Sequence, residues 1–516
     1  MNRNWITDTK CTRIELVLVI AFLLGLFLRL YHLGTESLWS DEWYSIWLAR
    51  HSVFDIVNLT SVDVHPPLYY LILHYFITVF DDTELSTRLL STVFGLCSVF
   101  MIYVVGSQIF NKEVGLLSAL LLAVSPIHIA FSQEVRMYTL LCLLALLSMC
   151  FFLRLLQQYS LKASLGYVLS SALLIYGHVF GLFIIIAQNI YFLAQLIAVK
   201  ERPTLKFKIW IVLQGTLLSV YALWVPNLIN QAFRVQQSLQ HIPAEAPSID
   251  AISSSLLFFS SDIPLLFAIF LILSSFSIIT YEKSLGRIDR KNSVKTIENY
   301  RRWHVRISNL NPAFFLLTWL LTPIILPLII SNFFTPIYYP RFAIAASLAL
   351  YILVAKGISN LHSQRIRRAV VSAIIIVSLV NVANYYGTVY KPQFRESLSY
   401  INNNAKSGDL ILLFNPTHYQ EIAPLDYYIK RTDVVKQILP DSVLADINSH
   451  KGQLLAHTNG HDRVWIVLVG INTDPSVNDK QTKQTFSESY NLSYYKIYPS
   501  RFYASDIQVL LFKRVN

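Results

Sequence analysis

Charge is what this chain has least of. Only 14% of its 516 residues are Asp, Glu, Lys or Arg, where a soluble globular chain carries about a quarter. Cysteine is scarce too. Cys11, Cys97, Cys142 and Cys150 all lie in or beside apolar runs, and no CxxC spacing exists. A disulfide framework and a cysteine-based zinc site are therefore not expected. The chain has no HExxH, and its polar tail has neither a GxxxxGK nor a GxGxxG loop.

What remains is apolar. The chain is 54% hydrophobic with a mean hydropathy of +0.47, and long apolar runs recur from about residue 14 to residue 389. This is the pattern of a polytopic α-helical membrane protein. Eleven spans are expected, over 14–30, 88–110, 114–131, 138–156, 163–178, 180–199, 209–226, 256–280, 312–331, 342–356 and 369–389. The run 163–199 is too long for one span and is divided where Gly177, His178 and Gly181 weaken a helix. The first run, Ile14 to Leu30, lacks a small-residue cleavage site and reads as a retained signal anchor.

The net charge of +11 invites a nucleic-acid reading, and its distribution argues against one. Basic residues gather in two loops beside span ends, 281–311 (Arg287, Arg290, Arg301, Arg302) and 357–368 (Arg365, Arg367, Arg368). That is the positive-inside bias, so the basicity reports topology. The N-terminus is then cytoplasmic, and an odd number of spans puts the tail outside a plasma (inner) membrane. Residues 391–516 carry 14 Lys/Arg and 12 Asp/Glu. Helical stretches such as PQFRESLSYINNN alternate with strand-like ones such as DLILLF, DVVKQIL, RVWIVLVG and DIQVLLFKRV. A small extracytoplasmic α/β domain is expected there, after a transmembrane domain over 1–390.

The first outer loop, 31–87, is neither short nor apolar. Its stretches LWSDEWYSIWLAR and DVHPPLYYLILHYF carry Asp41, Glu42, Asp63 and His65. Ionisable groups beside a bilayer lose hydration and seldom sit there without a task. Segment 66–80 is too short to span and suits an interfacial helix begun by Pro66 and Pro67. Residues 41–56 are expected as a second one, with Trp39, Trp43, Tyr44 and Trp47 at headgroup level. The stretch 226–255 is expected to be helical and then broken by Pro243 and Pro247.

Neighbouring helical residues point about 100° apart, so Asp41 and Glu42 cannot enter one site equally. Asp41 is read as a general base and Glu42 as a supporting or metal-facing group. The plain alternative is a solvated helix start. Asp63 and His65 would line the same cavity, against a simple turn into the next helix. In HIAFSQEVRMY, Gln133, Glu134, Arg136 and Tyr138 fall on a short outer hairpin. The fork of Arg136 suits a phosphate, and an ion pair with Glu134 is the bland account. Tyr338, Tyr339 and Arg341 in TPIYYPRFAIA, and His178 in YGHVFG, also fall on the outer side. That shared placement is what a site at the outer membrane face requires.

The order of these motifs, Asp-Glu, HPPLYY, SQEVRMY, YGHVFG and YPRF, resembles the membrane glycosyltransferases related to protein O-mannosyltransferases and lipid A aminoarabinose transferases, with their GT-C fold. The resemblance covers about residues 14–390. It implies sugar transfer from a polyprenyl-phosphate donor to an extracytoplasmic protein, lipid or glycan, with inversion at the anomeric carbon. Asp41 would be the catalytic acidic residue, and Arg136 and Arg341 would hold the lipid phosphate. Trp39, Trp43, Tyr69 and Tyr70 would stack on the sugar or cover the prenyl chain. Two features depart from the family: no second outer-loop carboxylate matches beyond the candidates Asp63 and Glu134, and a β-trefoil insert is absent. The hexose or pentose nature of the sugar stays open, as does a divalent metal, for which Glu42 and Asp63 would be the ligands. The competing reading is a transporter or flippase of lipid-linked sugars. It lacks the related halves and midplane acids such proteins show.

Overall fold

The structure, a computed structural model, describes residues 4–198, 207–239, 250–290, 312–334, 336–415, 424–440, 447–469, 482–487, 489–501 and 506–515. The chain opens with α1 (Asn4–Leu30), α2 (Ser40–Ala49), α3 (Val53–Ser61), α4 (Leu68–Phe80) and α5 (Glu84–Ile109). Next come α6 (Lys112–Val124), α7 (Pro126–Ser132), α8 (Tyr138–Gln157), α9 (Leu161–Gly177), α10 (Gly181–Ala198), α11 (Phe207–Ala222) and α12 (Val225–Leu239). Then follow α13 (Asp250–Phe259), α14 (Pro264–Arg290), α15 (Pro312–Phe333), a 3-10 turn over Pro340–Ala346, α16 (Ser347–Ser359) and α17 (Gln364–Tyr386).

The chain divides into two compact units. The first is Met1–Tyr31, His51–Asp81 and Thr87–Val382; the second is His32–Arg50, Asp82–Ser86 and Ala383–Asn516. The second unit therefore takes in two pieces of the first outer loop besides the tail.

In the first unit, local chemistry sets the helix ends. Ser52, Asn111 and Ser160 cap α3, α6 and α9 by accepting the N–H of Asp55, Val114 and Ala163. Proline sets the bend of 63° between α6 and α7. Pro126 has no N–H to give Leu122, and the Ile127 N–H turns to Ser261 Oγ at 3.1 Å. The freed carbonyls of Leu122 and Ala123 each accept a hydrogen bond of 3.0 Å from the guanidinium of Arg29, which is fully buried on α1. The buried arginine in the last turn of α1 is thus explained by a broken helix.

By length and apolarity, five helices among the described residues can cross a membrane, or up to eight if each of three bent pairs is one span. That is fewer than the eleven expected. Among the expected spans outside this count are 163–178 and 180–199, which correspond to apolar helices of fewer than 18 residues. The expected division of 163–199 falls between α9 and α10, at His178 to Phe180. Gly181 is needed there, because a Cβ would lie 2.7 Å from the carbonyl oxygen of Leu174. Residues 291–311 of the basic loop and the expected break at Pro243 and Pro247 lie outside the described residues.

The second unit holds α18 (Phe394–Asn404), α19 (Leu425–Tyr428), α20 (Ile447–Thr458) and a five-stranded sheet. Its strands are β1 (Leu410–Asn415), β2 (Val435–Pro440), β3 (Arg463–Val469), β4 (Tyr490–Tyr498) and β5 (Ile507–Arg514), in the order β2-β1-β3-β5-β4. β1 runs parallel to β2 and β3, and β5 antiparallel to β3 and β4. Alternate residues face opposite ways along a strand. Ile411, Leu413, Trp465 and Val467 pack with Leu398 and Ile401 of α18. Leu410, Leu412, Val464 and Ile466 pack with Leu454 of α20. Covering both faces is why β1 and β3 read as unbroken apolar runs.

The expected helix over 41–56 is two helices, because Ser52 caps a new start at Val53. Of the aromatic residues expected at headgroup level, Trp39, Trp43 and Tyr44 are buried in the second unit.

Candidate active site

A cavity of about 550 Å³ opens in the first unit, walled by Leu228, Ile229, Ala232 and Phe233 of α12 and by Ile330, Phe334, Ile337 and Phe342. Its polar lining is small: His65, His178, Gln231 and Tyr339. The Gln231 amide is engaged, donating to the Thr60 carbonyl at 2.9 Å. Apolar walls with a few placed polar groups are the signature of a ligand pocket.

The sequence brings four short breaks to this place. His65 sits in the turn before α4, where Pro66 and Pro67 restrict the chain. His178 occupies the gap between α9 and α10 in an extended conformation. Arg136 lies in the turn between α7 and α8, and Arg341 in the 3-10 turn begun by Pro340. The Arg136 Nη2 is 3.0 Å from His65 Nε2. The rings of His65 and His178 are 5.4 Å apart, and Phe342 lies 5.9 and 5.4 Å from them. Tyr138 is 6.2 Å from His178. The Arg341 guanidinium stands 5.4 Å from the Phe342 ring and 5.7 Å from that of Tyr339.

These contacts fix where the imidazole protons are. A guanidinium only donates, so His65 accepts at Nε2 and carries its proton on Nδ1. The Phe180 N–H donates to His178 Nδ1 at 3.1 Å, so His178 carries its proton on Nε2. Both His65 Nδ1 and His178 Nε2 are buried and have no hydrogen-bond partner among the described residues. A buried donor left unmade costs about 1–3 kcal/mol and calls for an explanation. Burial, then the charges of Arg136, His178 and Arg341, hold the His65 pKa well below its ordinary value. Burial, then Arg136 and Arg341, lower that of His178 as well. The site thus offers two neutral N–H donors beside two guanidiniums, a set made for an anion.

In the second unit, Asp41 and Glu42 stand in the first turn of α2. Glu42 is fully buried, and its Oε2 accepts from the Trp39 N–H at 3.3 Å and from Lys391 Nζ at 3.1 Å. Asp41 is half-buried.

Residues 64–229 match the family model for dolichyl-phosphate-mannose-protein mannosyltransferase. Over nearly the whole chain, the structure is similar to that of ArnT from Cupriavidus metallidurans bound to undecaprenyl phosphate. The two are 10% identical with a TM-score of 0.58, over 95% of this chain and 97% of that one. The fold is GT-C. The Archaeoglobus fulgidus oligosaccharyltransferase, in complex with Zn and sulfate, is also similar, at 12% identity and a TM-score of 0.53 over 94% of this chain and 72% of that one. The archaeal oligosaccharyltransferase AglB from Archaeoglobus fulgidus, in complex with an inhibitory peptide and a dolichol-phosphate, is similar over 89% of this chain and 69% of that one. Its identity is 12% and its TM-score 0.51. No curated protein matches the chain by sequence. The chain thus has the GT-C fold of a membrane protein, and its residues 64–229 are similar to the mannosyltransferase family.

Among the residues singled out in the sequence, the GT-C bundle brings His65, Arg136, Tyr138, His178, Tyr339 and Arg341 together. Gln133 has another role: its amide donates to the carbonyls of Arg29 at 2.9 Å and Tyr31 at 2.7 Å, closing the end of α1. Asp63 and Glu134 are buried, and like Arg136, Tyr138 and Arg341 they are not part of the cavity lining itself. The aromatic residues expected to stack on the sugar or cover the prenyl chain are not in the lining of this cavity. Trp39 and Trp43 are in the second unit's core, and Tyr69 and Tyr70 are fully buried beside α4's own neighbours, with Tyr69 Oη 2.9 Å from Ser91 Oγ. Phe342, Phe180 and Phe334 line the cavity instead. Glu42, expected to support the base or face a metal, faces Lys391. Among the described residues no three His, Cys, Asp or Glu side chains converge as metal ligands. Three contributors escaped the sequence reading: Lys391, Arg29 and Phe342. A lone lysine before a proline and an arginine at a span end gave only a weak signal.

Proposed function

We propose that this chain transfers a sugar from a polyprenyl-phosphate donor to an acceptor hydroxyl outside the cytoplasm. The observation that carries the reading is the pair of partnerless N–H donors, His65 Nδ1 and His178 Nε2, on histidines that line an apolar cavity and feel the charges of Arg136 and Arg341. A phosphate with a hydrocarbon tail satisfies both halves of that description. The match to the mannosyltransferase family over 64–229 supports it, as do the lipid phosphates named with ArnT and AglB.

The acceptor oxygen attacks the anomeric carbon while the bond from that carbon to the phosphate oxygen breaks. The electron pair leaves with the phosphate, and the configuration inverts. Asp41 takes the acceptor's proton. The phosphate goes from a monoanionic diester to a dianionic monoester, so charge grows where the guanidiniums and imidazole N–H groups converge. Donors aimed at developing charge stabilise the transition state more than the ground state. Phosphate is already a good leaving group, so no general acid is required.

The test is transfer from a panel of radiolabelled polyprenyl-phosphate sugars to a crude membrane extract, by wild type and Asp41→Asn. Label reaching the acceptor with wild type alone is expected. Unchanged transfer by Asp41→Asn would sink the assignment of the base. No transfer from any donor, with label crossing reconstituted vesicles, would replace the transferase with a flippase.

A further inference from the structure

The groups that flank Asp41 are held by the C-terminal part of the second unit. Glu36 Oε1 accepts the backbone N–H of Tyr390 at 2.6 Å and of Lys391 at 3.4 Å. Ser37 Oγ donates to the Pro392 carbonyl. The Leu38 N–H donates to the Tyr428 hydroxyl at 2.9 Å, and that hydroxyl donates to Glu84. Beyond Asp41, Glu42 is paired with Lys391, both side chains being buried. Trp43 meets Tyr427 edge to face at 5.5 Å, and the Arg50 guanidinium stands 5.7 and 5.6 Å from the two rings. α2 has only ten residues. A helix so short has no stability of its own, so its position comes from these contacts.

We infer that Lys391 is a positioning residue for Asp41: its buried ion pair with Glu42 sets the rotation of α2 and so the place of the carboxylate one residue earlier. This rests on the reading of Asp41 as the base. A buried ion pair adds little net stability, because desolvation offsets the attraction, but stranding one partner is costly. What such a pair supplies is direction. Lys391 Nζ can meet Glu42 Oε2 only when that side chain turns toward the segment 390–392, which the Glu36 and Ser37 bonds hold in place. Glu42 also closes the helix start by accepting the Trp39 N–H, so the tail's grip passes directly to the turn that bears Asp41. The tail is thus part of the catalytic apparatus without touching substrate.

The test uses the full-length chain in detergent, with Lys391→Met, Glu42→Gln, the double variant, Lys391→Arg and Asp41→Asn. The readouts are kcat, donor KM and thermal unfolding. Glutamine at 42 still accepts from Trp39, so only the tether is lost. Lys391→Met is expected to lower both the unfolding temperature and kcat, the latter by about 10- to 100-fold for a displacement near 1 Å, with donor KM changed by less than about twofold. The double variant leaves no charge stranded. Its unfolding temperature is expected to return toward wild type while kcat stays low, and Lys391→Arg is expected to retain part of kcat. A double variant with wild-type kcat overturns the inference, because a merely structural pair would recover stability and rate together. Full transfer by Asp41→Asn overturns the base reading and this inference with it. An inactive Asp41→Asn beside a fully active double variant overturns this inference alone.

Discussion

Arg136→Gln is the sharpest perturbation of the phosphate site. Two interactions matter for the donor. The guanidinium itself makes charge-assisted hydrogen bonds to a phosphate, worth about 1.5–3 kcal/mol. It also donates to His65 Nε2 at 3.0 Å. Without it His65 is free to carry its proton on Nε2, and the Nδ1 donor disappears, a neutral hydrogen bond of about 0.5–1.5 kcal/mol. Together these come to about 2–4.5 kcal/mol, or roughly 30- to 2000-fold in kcat/KM at 1.36 kcal/mol per decade. Because charge on the phosphate grows during transfer, kcat should fall along with donor affinity. The assay is steady-state transfer from a labelled polyprenyl-phosphate sugar, with thermal unfolding as the control for folding. Arg136→Lys keeps a charge but not the fork, and an intermediate rate is expected. A folded Arg136→Gln protein whose kcat/KM stays within about threefold of wild type would refute the phosphate assignment.

Three further outcomes are expected. Ala232→Trp places a bulky ring on the cavity wall. Excluding two methylenes at about 0.8 kcal/mol each raises KM for long-chain donors by about 15-fold; an equal effect on short-chain donors would mean that the cavity does not take the prenyl chain. Gly357→Ala drives a Cβ on α16 into the Leu273 carbonyl oxygen on α14, and overpacking of this kind costs about 1–3 kcal/mol. A lower unfolding temperature is the readout, and an unchanged one would mean that the two helices part freely. Protonation provides the last test. The pKa values of His65 and His178 are lowered in the folded protein, so the unfolded chain binds more protons below the ordinary value of 6.5. Their contribution to stability is complete above that pH and is lost as pH falls below it. Thermal unfolding at neutral and acid pH should show wild type losing more on acidification than His65→Asn/His178→Asn; equal losses would argue that the rings are accessible to protons.

Most of the element list is written in local pattern. Apolar runs long enough for helices are legible without a structure, whereas the cap at Ser52 and the proline at 126 act over a few neighbours without changing hydropathy, so the expected helix over 41–56 and span over 114–131 ran through them. The alternation from PQFRESLSYINNN to DIQVLLFKRV likewise gave the tail its helices and strands, because period and burial are local patterns. The polar breaks that carry His65, Arg136, His178 and Arg341 could be located, since ionisable groups stand out against apolar runs. What those groups do is set by contacts between distant segments. His65 and Arg136 are 71 residues apart, and only their contact fixes which ring nitrogen carries the proton. Lys391 and Glu42 are 349 apart, and only their pairing shows what holds the carboxylate that the sequence left as a supporting or metal-facing group. The same holds for Arg29, whose partners exist because a helix 93 residues further on is broken, and for the burial of Trp39 and Trp43. Local sequence sets which backbone groups are left unpaired. Which side chain satisfies them depends on packing between segments whose separation along the chain carries no signal.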